Sequence, residues 1–231
     1  LRDHIDHMVR DDDIDYTIIN LHILETHGFK FTTEDVGEAW LSNLPFLRVY
    51  TAERAAYRNL VNGLTPPETA TFMNPYREWI GAQIRADMWG YVTPGMPESG
   101  AEIAFRDARL SHVKNGIYGE MFIAAMISAA FATSDVEEII NIGLSEIPAE
   151  SRLSEAVRDV IEWRRKYSDW RESWRRINEK YGRYHRVHTI NNAALVLLGL
   201  LYGEGDFERS ITISVMGGWD TDCNGATVGS I

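Results

Sequence analysis

Residues 190–202 read INNAALVLLGLLY, an almost unbroken apolar stretch with no proline and no charge. Such a run is long enough for several helical turns and apolar on every side, so it predicts a helix at the centre of the molecule rather than on its surface. Its longest uninterrupted apolar part, Ala193–Leu201, contains Gly199 and falls well short of the roughly 20 residues a membrane span requires.

Helical signals repeat on either side of it. Ile14, Ile18, Leu21 and Leu24 follow helical spacing, and Gly28 supplies a stop. Helices are expected from Thr32 or Thr33 to Leu44, from Thr51 to Asn62, from Pro97 to Leu110 and from Tyr118 to Ala132. Ser134-Asp135-Val136-Glu137 reads as a capping box, with Ser134 at the N-cap of a helix reaching Ser145. Charged helices over Arg152–Tyr167 and Trp170–Tyr181 follow, and Phe207–Met216 leads into Gly217-Gly218. Strand signals are scarce. The expected fold is all-α, a single globular multi-helix bundle of about eight to ten helices occupying 1–231 as one domain. Leu1 replaces an initiator Met and the last residues read as a helix cut midway, so the sequence is expected to be truncated at both ends.

One stretch resists this pattern. Asn74–Pro97 carries Gly81, Gly90, Gly95, Pro75 and Pro94 among Trp79, Trp89 and Tyr91, without a clear period. An irregular segment of this length is expected to be a functional loop lining a ligand pocket, or else a surface loop pinned by its aromatics. Arg85 within it either pairs with a ligand phosphate or forms a structural salt bridge.

The 231 residues include 23 basic and 34 acidic ones, a net charge of −11. That field disfavours nucleic-acid polymers and anionic membranes but leaves room for a small phosphorylated ligand. Cys223 is the only cysteine, so no internal disulfide can form and a reducing, cytoplasmic setting is expected.

Two acidic runs carry the candidate chemistry. Asp11-Asp12-Asp13-Ile14-Asp15 opens the first helix. A helix N-terminus accounts for one or two of these carboxylates through its macrodipole, while three consecutive aspartates call for a compensating cation. The second run is Gly217-Gly218-Trp219-Asp220-Thr221-Asp222-Cys223-Asn224-Gly225. Asp220 and Asp222 can aim at one point; a helix starting near Asn224 would need only one of them as a cap. Hard oxygen ligands of this kind suit Mg²⁺ or Mn²⁺, and His/Cys spacing for zinc is absent. Elsewhere His185 and His188, the basic run Arg164-Arg165-Lys166, and Trp163, Trp170 and Trp174 read as packing or solvated-face residues.

Together GGWDTDCNGATVGS and DDDIDYTIINLHILETHG resemble the ADP-ribosylglycohydrolase family, which includes dinitrogenase reductase-activating glycohydrolase. The segment from Gly95 to Ala132 resembles the family's central part, so the resemblance spans nearly the whole chain. It implies two Mg²⁺ or Mn²⁺ ions held by Asp12, Asp13, Asp220 and Asp222, with Asp11 in place of a ligating Thr and Cys223 in place of another. It also implies that Asp12, Asp13 and Asp222 act on water, and that Ser111, His112, Asn115, Gly116 and Tyr118 contact substrate. The turn Ser111–Tyr118 and the stretch Asn74–Pro97 are then expected to face the metal cleft from opposite sides. Trp219 is an insertion, and Cys223 exchanges a hard hydroxyl for a soft thiol. The family's early Gly-Asp-Ala-Leu-Gly-like turn has no counterpart and would lie before Leu1. The implied activity is hydrolysis of a glycosidic bond at ribose, on a small molecule or an ADP-ribosylated protein. The alternatives are a nucleoside or riboside hydrolase and a non-catalytic member of the family.

Overall fold

The computed structural model describes residues 6–7 and 9–231, so the expected span 1–231 is described except at 1–5 and 8. Among the described residues there are thirteen α-helices and no strand; one isolated bridge joins Trp79 to His188. The helices are α1 Asp12–His27, α2 Thr33–Asn43, α3 Thr51–Val61, α4 Glu68–Thr71, α5 Asp87–Tyr91, α6 Pro97–Ala108 and α7 Asn115–Ala130. They continue as α8 Val136–Ser145, α9 Arg152–Lys166, α10 Trp170–Tyr181, α11 Thr189–Gly203, α12 Phe207–Met216 and α13 Thr221–Ser230. The count exceeds the expected eight to ten chiefly because α4 and α5 are single-turn helices inside segments too short to show a period. None of the described helices is long and apolar enough to cross a membrane.

Helix α11 is the axis of the fold, as its composition predicts: every residue from Thr189 to Gly203 is buried. It packs against α7, α8, α9, α10, α12 and α13. Helix α7 is the second central element, nearly all buried, with α5, α6 and α8 against it. The outer helices α9 and α10 bury one stripe each. In α9 this is Leu153, Ala156, Val157, Val160 and Ile161, a spacing that places five side chains on one face. The remainder of α9 and α10 is charged and laced with ion pairs such as Arg165–Glu137 and Arg176–Glu179.

One local expectation needs correction. The cap of α8 is Asp135, whose carboxylate accepts from the Glu138 amide at 3.0 Å, so Ser134 lies one residue outside. The reciprocal capping box of this fold is at α2, between Thr32 and Asp35. Helix α1 forms as its apolar spacing predicts, and the structure adds which face is buried. Its stripe Ile14, Ile18 and Leu21 faces solvent, while Tyr16, Ile19, Asn20 and Ile23 face the core. Asn20 donates to the Arg85 carbonyl and the Tyr16 ring faces Trp40 and Arg85, so these two polar residues join the core face.

The Asn74–Pro97 stretch runs through the interior. Ile80, Ala82, Ile84, Ala86 and Trp89 are buried, and Phe31 stacks on Trp89 at 4.9 Å between ring centres. Arg85, at its centre, is fully buried. Its Nε donates to Asp107 at 2.7 Å, its Nη1 to Glu53 at 3.0 Å and to Ser111 Oγ at 3.1 Å, and Glu120 lies 3.5 Å from Nη2. Trp40 and Tyr16 offer ring faces to the guanidinium at 5.0 and 5.4 Å. Of the two readings of Arg85, the structural salt bridge is the one observed. Gly81 makes room for this cluster: a Cβ there would sit 1.9 Å from Glu53 Oε1. The main-chain carbonyl of Arg85 in turn accepts from Asn20 on α1 at 2.9 Å, which fixes the helix carrying the first acidic run.

Candidate metal centre

The two acidic runs meet although more than 200 residues separate them in sequence. Helix α1 presents Asp12 and Asp13 in its first turn, and Asp11 is its N-cap, accepting from the Asp13 amide at 2.9 Å. One carboxylate thus meets the helix's capping need, leaving the others for another purpose. At the far end Gly217 follows α12; Gly218 (φ +89°) and Trp219 (φ +60°) then take left-handed backbone, turning the chain into α13. Left-handed geometry is easy for glycine and costly for tryptophan. The turn is held from two directions. Trp174 on α10 donates its indole N–H to the Gly217 carbonyl at 2.8 Å, and Asn192 Oδ1 accepts from the Asp220 amide at 3.1 Å.

Helix α13 starts at Thr221, earlier than the expected Asn224, which puts Asp220 at the N-cap. Its side chain makes no capping bond there. Asp220 instead lies beside Asp222 and Cys223, so the capping account of this motif does not hold.

Ligand-type atoms of Asp11, Asp12 and Asp13 lie within 4.8 Å of one another, and so do those of Asp13, Asp222 and Cys223. Asp13 belongs to both groups and joins the two ends of the chain. The Cys223 thiol donates to Asp13 Oδ2 at 3.6 Å. Ligands on one octahedral Mg²⁺ at about 2.0–2.1 Å are at most about 4.2 Å apart, so a small side-chain adjustment closes either group on a cation.

The electrostatics favour positive charge at this point. Among the described residues none of Asp11, Asp12, Asp13, Asp220 and Asp222 forms an ion pair with Lys or Arg, whereas the neighbouring Asp15 pairs with Arg10 at 2.7 Å. Burial, then the charges of Asp11 and Asp12, pushes Asp13 up to about 8. Burial and the Asp222 charge push Asp220 up to about 6. Burial, opposed by a backbone hydrogen bond and assisted by Asp11 and Asp222, also raises Asp12. Burial and the surrounding aspartates hold the Cys223 thiol protonated far above its ordinary range. A divalent cation reverses the penalty on the carboxylates, and a mostly oxygen donor set fits a hard one. Cys223 is the poorest donor for such an ion.

The residues expected on the substrate side are placed differently. Ser111 and His112 are fully buried: Ser111 Oγ lies 2.8 Å from His112 Nδ1 and accepts from Arg85. Burial, followed by the Arg85 charge, keeps His112 well below the usual histidine range, hence neutral. Asn115 spends its side chain on Glu78 at 2.8 Å and on the Leu153 amide at 3.1 Å, tying α7 to α9. Gly116 is buried in the first turn of α7, and Tyr118 is half-buried against the core. The Ser111–Tyr118 turn and the Asn74–Pro97 stretch do not face each other across a cleft. They pack directly together: the Val113 amide donates to the Arg77 carbonyl at 2.9 Å and Asn74 donates to the Ser111 carbonyl at 2.9 Å. The buried side chains of Asn74 and Arg85 need partners, and this turn supplies them.

His185 and His188 precede α11 rather than sharing a helix face. His185 stacks on Trp79 at 4.1 Å, and His188 caps α11 through Nδ1.

Two contributors were missed from sequence. Asn192, an amide inside the apolar helix α11, accepts from the Asp220 amide and from Asn224 and donates to the Arg186 and His188 carbonyls. Glu53 is 3% exposed, feels the charge of Asp12, and is pushed up to about 7, chiefly by burial. A signal for Glu53 was present: it falls on the helical face formed by Ala52, Ala56 and Asn59, all buried.

No curated protein matches the chain significantly in sequence. A family profile described as ADP-ribosylglycohydrolase does match it over residues 9–231, nearly its full length. With an all-helical fold whose terminal acidic runs converge, the chain belongs to the ADP-ribosylglycohydrolase family, a family of glycosyl hydrolases.

Proposed function

We propose that this protein hydrolyses the glycosidic bond at ribose C1 of an ADP-ribosyl group, releasing ADP-ribose from a modified acceptor. The observation that carries the reading is the approach of Asp13 to Asp222 and Cys223 across 210 positions of sequence. Asp11, Asp12 and Asp13 from α1, with Asp220 and Asp222 from α13, are the residues that would hold two Mg²⁺ or Mn²⁺ ions. Such ions supply Lewis acidity toward the ribose hydroxyls and lower the pKa of bound water.

The chain's own contribution is a set of carboxylates around the sugar. Cleavage at C1 develops oxocarbenium character, which nearby negative charge stabilises. Asp12, Asp13 or Asp222 takes the proton from the attacking water. Asn192 and Trp174 keep Asp220 and Asp222 in place by fixing the turn before α13.

The test is an assay of ADP-ribosyl-arginine, ADP-ribosyl-serine and plain nucleosides with Mg²⁺ or Mn²⁺, followed by product chromatography. Release of ADP-ribose that Asp13→Asn and Asp222→Asn both abolish is the expected outcome. Turnover of nucleosides alone would replace the ADP-ribosyl assignment with a riboside hydrolase. Bound cations with no turnover of any substrate would point to a non-catalytic member.

A further inference from the structure

A large groove on the described surface is lined by none of the clustered aspartates. It measures about 970 Å³ and lies between the first half of α3, the short turn Phe46–Arg48 and the segment Thr71–Trp79. No acidic side chain lines it. Three arginines do: Arg54, Arg58 and Arg77. In a chain of net charge −11, three cations gathered in one groove without an acidic neighbour call for an explanation. Among the described residues none of them ion-pairs with a carboxylate, although most other arginines of the fold do.

Each guanidinium is held from behind by main chain and keeps donors to spare. Arg54 Nε donates to the Val49 carbonyl at 2.7 Å, Arg58 Nη2 to the Met73 carbonyl at 3.1 Å and Arg77 Nη1 to the Asn74 carbonyl at 3.0 Å. The remaining N–H groups of Arg54 and Arg77 have no protein acceptor among these bonds. Cations oriented in advance lose little freedom on meeting an anion, and forked guanidinium donors match phosphate oxygens.

Aromatic rings share the groove. Phe46 and Tyr50 are 41% and 46% exposed, and the Arg54 guanidinium lies 5.9 and 5.4 Å from their ring centres. Trp79 forms part of the wall, braced by His185 at 4.1 Å and by the edge of Tyr76 at 4.7 Å. Exposed rings next to unpaired arginines combine a stacking surface with phosphate donors, a pairing that serves neither half of the ligand alone.

We propose that this groove is a nucleotide-binding site, separate from the aspartate cluster, that takes the base on Phe46 and Tyr50 and the phosphates on Arg54, Arg58 and Arg77. The site needs no divalent ion and stands whether or not the protein cleaves ribosides.

Calorimetry in EDTA with ADP, adenosine and inorganic pyrophosphate as separate probes tests it. ADP should bind at least about tenfold more tightly than either partial probe, because only ADP engages both halves of the groove. Arg54→Ala with Arg77→Ala should weaken ADP at least about tenfold, and Asp13→Asn should leave it unchanged. Tyr50→Ala, at a half-exposed position, should weaken ADP and adenosine while sparing pyrophosphate; it keeps the test decisive if the double arginine variant fails to fold. Pyrophosphate binding as tightly as ADP would reduce the groove to an anion patch. Absence of ADP binding, or ADP affinity unaltered in the groove variants, would overturn the assignment.

Discussion

Replacing Arg85 by methionine keeps most of the side chain's bulk but removes the one cation among Glu53, Asp107 and Glu120, all of them buried. Breaking a buried pair by deleting one partner typically costs about 3–5 kcal/mol, because the remaining charges stay in the interior uncompensated. For a chain of this size each kcal/mol lowers Tm by roughly 2–4 °C, so a drop of about 10 °C is expected. The loss should carry a pH signature. Burial already lifts Glu53 from 4.5 to about 7, with Arg85 acting in the opposite direction. Removing Arg85 lifts it further. From its unfolded pKa up to about 7, both proteins keep this proton when folded and lose it when unfolded, so the deficit stays constant. Above about 7 the wild-type group ionises in the fold while the variant's does not. The variant then keeps losing stability, by at most about 1.4 kcal/mol for each further pH unit. Thermal melts by circular dichroism at pH 6 and pH 8.5, at one ionic strength, measure this. A Tm within 2–3 °C of wild type, below the roughly 6 °C that even 3 kcal/mol implies, would refute the account of Arg85 as the core's counter-charge. So would a deficit that shrinks as pH rises.

Two further outcomes follow from particular contacts. Cys223→Thr puts a hydroxyl where a thiol now donates to Asp13, and should tighten Mn²⁺ or Mg²⁺ binding in a calorimetric titration; equal affinity in both forms would show that residue 223 does not reach the ion. Asp87 is pushed up to about 6 by burial, against a hydrogen bond from Ser230 at 2.7 Å. The fold therefore keeps this proton after the unfolded chain has lost it, and stability falls as pH rises from about 4 to about 6. Asp87→Asn should make that slope shallower by one proton's share, at most about 1.4 kcal/mol per pH unit, and gain about 1–3 kcal/mol at pH 7 in urea unfolding, whereas an unchanged slope would refute the assignment to Asp87.

Most of the helices were legible because their signals are local: an Asp or Ser cap, an apolar stripe, a glycine stop. α9 begins after Ser151 and α10 after Asp169 for that reason. The aspartate triplet called for a cation on its own, whereas the convergence of the two acidic runs was expected only from the family resemblance. The course of Asn74–Pro97 through the interior was not legible from sequence because its logic is non-local. Its glycines allow close packing, with Gly90 set against Ile127 and Gly81 against Glu53. Arg85 finds its partners at positions 53, 107, 111 and 120, which no window of sequence contains. The same holds for Asn192, an amide in an apolar helix whose purpose is visible only once Asp220 and Asn224 sit beside it. On α1, apolar spacing identified the helix correctly but did not show its buried face, since Ile14, Ile18 and Leu21 lie toward solvent.

The contact between Asp13 and Cys223 has a bearing on how the chain acquires its structure. It closes a loop of 210 residues, and the entropy of that closure exceeds that of a ten-residue loop by about 3 kcal/mol. So distant a pairing is expected to form late in folding, after contacts of shorter sequence separation such as those of α6 with α7. The centre therefore works as a clasp fastened late, joining the first helix to the thirteenth. An ion held there would tie α1 to α13, so its binding energy would resist separation of these two helices rather than fraying of one segment.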